Sequence, residues 1–136
     1  MIIRALAIMF FIILLTGCNS RDDVSLKDLL KALEDAGIQY AERAETQNIY
    51  DMRRGDAERH LYQLQSGKLT IYRFPSVDQR REVQRDPFPT ATAVPPNGSY
   101  GMGRMLVFYY DGDDVITQKL IEAFEPFKFE DSSQLQ

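Results

Sequence analysis

The sequence predicts an α+β fold: a mostly antiparallel sheet with helices packed on one face, a two-layer sandwich. Three observations carry that expectation. Leu26, Leu29, Leu30 and Leu33 recur at the spacing of one helix face. Residues 59–64 and 69–74 are two runs rich in Leu, Tyr, Ile and Phe on either side of Gln65-Ser66-Gly67-Lys68, the pattern of a β-hairpin. Residues 104–110 are nearly continuous in apolar and aromatic side chains, as in a strand covered on both faces or lying in the sheet centre. The elements follow the order helix, strand, hairpin, helix, strand, helix, which favours helices laid against an antiparallel sheet.

The first helix is the best specified. Ser25 stands at its N-cap, Asp28 has the spacing of a capping box, and Val24 is placed to staple onto Leu29. Lys27, Lys31, Glu34 and Asp35 take the opposite face, and Gly37 supplies the left-handed residue that ends the helix. Residues 38–41 alternate as a strand should. Residues 42–56 are polar and lose any period, so they read as a connection with one short extended stretch around Ile49 and Tyr50. After the hairpin, Pro75 stops the strand because it has no N–H to donate, and Ser76 caps a helix over 77–85. Asp86-Pro87-Phe88-Pro89 ends that helix, 90–94 reads as an edge strand, and Pro95-Pro96-Asn97-Gly98 as a turn. Gly98, Gly101 and Gly103 then read as turn geometry and a flexible lead into the apolar strand. Asp111-Gly112-Asp113 turns the chain into a last helix over 114–124. Its inner side is Ile116, Leu120, Ala123 and Phe124, and its acids lie where the helix dipole favours them. These elements make one domain over 24–129, with a frayed tail over 130–136.

The N-terminus is of a different kind. After Met1-Ile2-Ile3-Arg4 the chain runs from Ala5 to Leu15 without a polar side chain, the length of a secretory h-region and short of the roughly twenty residues a membrane span needs. Leu15-Thr16-Gly17-Cys18 then resembles a lipobox: an aliphatic residue, two small ones that let the backbone lie extended in a peptidase, and a thiol to receive lipid. The expectation is a signal peptide over 1–17 cut between Gly17 and Cys18, a diacylglyceryl group on Cys18, and a polar tether over 18–23. Cys18 is the only cysteine of the chain, so no disulfide forms within it and lipidation gives the thiol a use. Two acyl chains hold far more firmly than one, which binds only reversibly. The expected location is extracytoplasmic, lipid-anchored to the cell membrane. In a Gram-negative host, Asn19 after the cysteine favours the outer membrane.

The lipobox combines with Leu29-Leu30-Lys31-Ala32-Leu33 followed by Gly37, with Leu61-Tyr62-Gln63-Leu64 and Gly67, with the stretch from Leu69 to Ser76 leading to Arg80, and with Leu106-Val107-Phe108-Tyr109. Together these residues resemble a loose group of small uncharacterised lipoproteins from Gram-positive, Bacillus-like bacteria. The resemblance implies a location and no chemistry. That group has no assigned activity, so no catalytic or binding residue carries over.

Composition narrows the function classes. Sixteen Lys and Arg against twenty Asp and Glu give a net charge of −4, and removal of Arg4 with the signal leaves the rest more acidic. No basic surplus exists to hold nucleic acid phosphates. Seven Tyr and eight Phe, with well-spread Leu, Ile and Val, argue for a packed globule. Metal binding needs clustered His, Cys or carboxylates, and the domain has one histidine, His60, so no metal or other cofactor is expected. Asp111, Asp113 and Asp114 lack the order of a calcium loop and are explained by capping the last helix. No nucleophile elbow brings Ser66 or Ser76 to His60.

The nearest thing to a ligand patch is Arg80, Arg81 and Arg85 on the short helix, with Arg53 and Arg54 in the earlier loop. A solvated face balanced by Asp78, Glu82 and Asp86 is the plainer reading of that patch. Arg80 stands out because it lies one turn after Ser76 and can point back toward the sheet. Arg54-Gly55-Asp56 matches an integrin tripeptide, a match that arises easily by chance. The expected function is a non-catalytic binding or accessory protein whose partner is an envelope protein or polymer. The alternative is a small envelope enzyme with a site assembled from dispersed residues such as His60, Asp111 and Arg80. A solute-binding role fails on size, since about 105 residues do not readily form two lobes.

Overall fold

The computed structural model describes residues 24–44, 54–87 and 93–134. Three α-helices and six strands follow in the order α1 (Leu26–Asp35), β1 (Tyr40–Glu42), β2 (Glu58–Leu64), β3 (Lys68–Arg73), α2 (Val77–Arg85), β4 (Gly98–Met102), β5 (Met105–Tyr110), α3 (Asp114–Phe124) and β6 (Glu130–Asp131), with short 3-10 turns after α3 and β6. The strands form one open antiparallel sheet in the order β1-β2-β3-β5-β4-β6. The fold is α+β, as the patterning predicts, and no described helix is long and apolar enough to cross a membrane.

Local chemistry explains the helix ends. Ser25 Oγ accepts from the Asp28 N–H at 3.1 Å while Asp28 Oδ2 accepts from the Ser25 N–H at 3.0 Å, so the capping box is complete. At the other end of α1 the Gly37 N–H donates to Glu34 O and the Ile38 N–H to Leu33 O, a Schellman motif with Gly37 at φ +70°. Ser76 caps α2 through the Gln79 N–H, and Asp113 caps α3 through the Ile116 N–H at 2.8 Å.

The strand alternation sorts the core into two faces. On one, Tyr62, Leu64, Leu69, Ile71, Tyr100, Met102, Met105, Val107 and Tyr109 meet Leu29 and Leu33 of α1 and Ile116, Leu120 and Phe124 of α3. This is the layer the helix periodicities predict. On the other face Tyr72, Phe74, Leu106 and Phe108 form a smaller cluster, partly covered by Val83 of α2, so α2 alone lies opposite α1 and α3. β3 and β5 are the central strands, which accounts for the unbroken apolar run of β5.

Three expectations change. The glycine-rich stretch before β5 is itself a strand, β4, joined to β5 by a tight turn at Gly103-Arg104 with Gly103 at φ +57°. Gly101 serves there by its missing side chain: a Cβ would strike Gln84 Oε1 and Arg80 Nη1, so glycine lets α2 lie close on the strand. The expected tail over 130–136 is not free along its length, because Glu130 and Asp131 pair with Gly101 and Tyr100 as β6, and Ser132–Gln134 form a 3-10 turn. Of the expected edge strand over 90–94, only Ala93 and Val94 are described, and they are not in a strand. The extended stretch around Ile49 and Tyr50, and the signal, lipobox and tether over 1–23, lie outside the described residues.

Candidate functional site

The arginines nominated from sequence separate into different roles. Arg80 turns inward, as its position after Ser76 allows, and is 1% exposed. Its Nε donates to Gly103 O at 2.8 Å and its Nη1 to Gln84 Oε1 at 2.7 Å and to Glu130 Oε2 at 3.3 Å. Arg81 makes a two-point contact with the same carboxylate, Nη2 to Oε1 at 2.7 Å and Nε to Oε2 at 3.2 Å. Gln84 Nε2 donates to Glu130 O, so side chains of α2 fasten β6 to the sheet. The Arg81 hydrogen bond, with the nearby charge of Arg80, holds the Glu130 carboxyl below its ordinary 4.5 despite the opposing effect of burial. Both guanidiniums hold β6 through Glu130, Arg80 from a buried position and Arg81 from a half-exposed one. Arg54 is also inward: its guanidinium lies 4.7 Å from the Tyr72 ring centre and 4.8 Å from that of Phe108, and Nη2 donates to Pro87 O at 3.1 Å. With Arg54 buried, the tripeptide it begins does not present that side chain to a partner.

Arg85, one turn beyond Arg81, is exposed and stands at a cavity of about 390 Å³ beside β4. The cavity opens where β6 leaves the sheet, bounded by the end of α2, the chain leading into β4, one side of α3 and the turn after β6. It includes Ser99 and Tyr100, neighbours on β4 that face opposite sides of the sheet. Ser99 is 8% and Tyr100 2% exposed, and neither Ser99 Oγ nor Tyr100 Oη has a hydrogen-bond partner among the described residues. A buried hydroxyl left unpaired costs about 1–3 kcal/mol, a cost that Ser99 and Tyr100 each carry.

Tyr100 is held firmly. Its ring meets Phe124 and Phe129 edge-on at centroid distances of 5.4 and 5.6 Å, and its hydroxyl lies over Gly98, where any Cβ would collide with it. Burial first, then the charge of Asp131 and the nearby Tyr109, push the phenol far above its ordinary range, so it stays protonated and able to donate. Tyr109, on the same face, contrasts with it: its hydroxyl donates to Ser66 O at 2.8 Å and accepts from the Asp113 N–H at 3.1 Å. A second hollow, about 560 Å³, runs between α1 and α3 past Ala32, Ala36, Ala123 and Pro126. None of the buried hydroxyls without a partner lines it.

The other nominated residues do not converge. His60 lies mid-strand in β2 opposite Ile71, whereas Asp111 pairs with Lys68 at 3.2 Å at the hairpin end, and Arg80 is locked under α2. Ser76 is a helix cap, and Ser66 offers its carbonyl to Tyr109. Among the described residues no three His, Cys, Asp or Glu side chains gather as a metal site. Ser99 and Asp131 escape sequence reasoning because each lies in a segment that reads as loop or tail. The one available signal was Gly98-Ser99-Tyr100, a polar and aromatic pair beside a glycine. Comparison with family models, curated proteins and solved structures found no significant match to this chain.

Proposed function

We propose that this chain is a lipid-anchored, extracytoplasmic binding or accessory protein of the cell envelope, tethered through diacylglyceryl on Cys18. The observation that carries the reading is Leu15-Thr16-Gly17-Cys18 directly after the apolar run from Ala5 to Leu15, in a chain with no other cysteine. The separation of His60, Asp111 and Arg80 supports a binding role over an enzyme built from those residues. The cavity beside β4 supports it further, as a concave place lined by both polar and apolar side chains.

Labelled palmitate supplied to a bacterium expressing the full chain is expected to enter the native protein and not the Cys18→Ala variant. The native protein should also lose residues 1–17. A product that retains Met1 and carries no label overturns the anchor.

A further inference from the structure

Asn97 and Gly98 form the joint through which the chain enters β4. We propose that Asn97 is a site of spontaneous deamidation, and that its isoaspartyl product releases the neighbouring turn at Gly112. The Gly98 backbone nitrogen attacks Asn97 Cγ, a C–N bond closes a cyclic succinimide, and the side-chain amide leaves as ammonia. Water then opens the ring at either carbonyl. One opening gives aspartate; the other gives isoaspartate, in which the main chain runs through Cβ and Cγ and a carboxylate remains on Cα. Water is the only co-reactant.

Of the chain's three asparagines only Asn97 precedes glycine, which has no side chain to shield the attacking nitrogen. Asn48, by contrast, precedes the β-branched Ile49. Asn97 is exposed, and packing keeps glycine after it, because a Cβ on Gly98 would collide with the Tyr100 hydroxyl. Gly98 and Tyr109 close the β4–β5 ladder, and pairs at the end of a ladder open more readily than central ones. Asn97 is held there by its N–H on Tyr109 O at 2.7 Å and by Oδ1, which accepts from the Gly112 N–H at 3.3 Å.

The second bond gives the modification its effect. It joins the start of β4 to the turn Asp111-Gly112-Asp113, where Asp111 sits at φ +53° and Asp113 caps α3. In the isoaspartyl chain Cγ belongs to a backbone one methylene longer, so the oxygen that met Gly112 is no longer a side-chain acceptor. The new carboxylate also carries negative charge toward a turn with an acid on each side of Gly112, and like charges oppose the contact.

The test ages the full chain in detergent, in warm and mildly alkaline buffer, and follows it by peptide-mapping mass spectrometry. Isoaspartate is counted by methyl transfer from a protein isoaspartyl methyltransferase. Asn97 is expected to convert ahead of Asn48, with ammonia released in equal amount and isoaspartate as the main product. Hydrogen exchange at the Gly112 amide should then run about tenfold faster than in the fresh chain, the factor one lost hydrogen bond supplies. Exchange at Val107, in central β5, should stay level. Asn97→Gln keeps a side-chain amide but closes the larger ring far more slowly, so neither readout should change with age. The proposal is overturned if Asn97 stays intact, if Asn48 converts first, or if Gly112 exchange is unchanged or rises only together with that of Val107.

Discussion

Leu33 and Arg80 are both fully buried, on opposite faces of one sheet, and they are held by different physics. Under α1 and α3 the buried cluster is chiefly apolar, with the two hydrogen bonds of the Tyr109 hydroxyl as an exception, and its main attraction is non-directional and scales with area removed from water. Under α2 the small cluster of Tyr72, Phe74, Leu106 and Phe108 is completed by two guanidiniums and the Gln84 amide, which stabilise only when specific oxygens or ring faces meet them. At its aliphatic positions the first face tolerates apolar residues of about the right volume. The second accepts few alternatives, and so it fixes how α2 and β6 sit on the sheet.

That contrast can be broken by substitution. Leu33→Ala leaves a void at a site with no solvent access and is expected to cost about 3–4 kcal/mol in denaturant unfolding. Arg80→Met keeps most of the volume while leaving Gln84 Oε1, Gly103 O and part of Glu130 without their donor. A loss of roughly 2–3 kcal/mol is expected, below the range for a wholly buried pair, because Glu130 is partly exposed and retains Arg81. If Arg80→Met proves neutral, the polar face is no more demanding than the apolar one.

The smallest effect is the most diagnostic, because it depends on pH. Glu130→Gln is expected to cost about 1 kcal/mol at neutral pH. The native carboxyl is held below 4.5, chiefly by Arg81, so its contribution is present above the unfolded value and disappears as pH falls through the lowered folded value. Unfolding curves of the native chain and Glu130→Gln should therefore differ at pH 7 and converge in acid. A gap that persists at low pH would mean that Glu130 acts through packing and not through charge.

The same contrast explains what the sequence made legible. α1, the β2–β3 hairpin, α2, β5 and α3 follow from periodicity, caps and turn residues, because apolar burial leaves its repeat in the chain. β4 did not show itself, since Gly98 and Gly101 weaken strand propensity and are present for reasons supplied by Tyr100, Arg80 and Gln84. β6 is a pair of acidic residues with no pattern, made a strand by pairing with β4 and by the pull of two arginines on Glu130. Arg80 was legible as an unusual arginine, but its partners lie up to 50 positions away and could not be read locally. The cavity was invisible for a related reason: its buried hydroxyls lie in β4 and its carboxylate in β6.

The reach from Arg80 to Glu130 also bears on synthesis. The guanidinium is made 50 positions before the carboxylate that pairs with it, which arrives only with β6. Until then α2 settles against β4 with a buried charge that lacks this counterpart, and its docking is expected to be weaker. A chain broken off before residue 130 would retain its aliphatic core and lose this closure, leaving it a better target for a protease than the finished one. The Glu130 contact thereby ties the stability of α2 to the presence of β6.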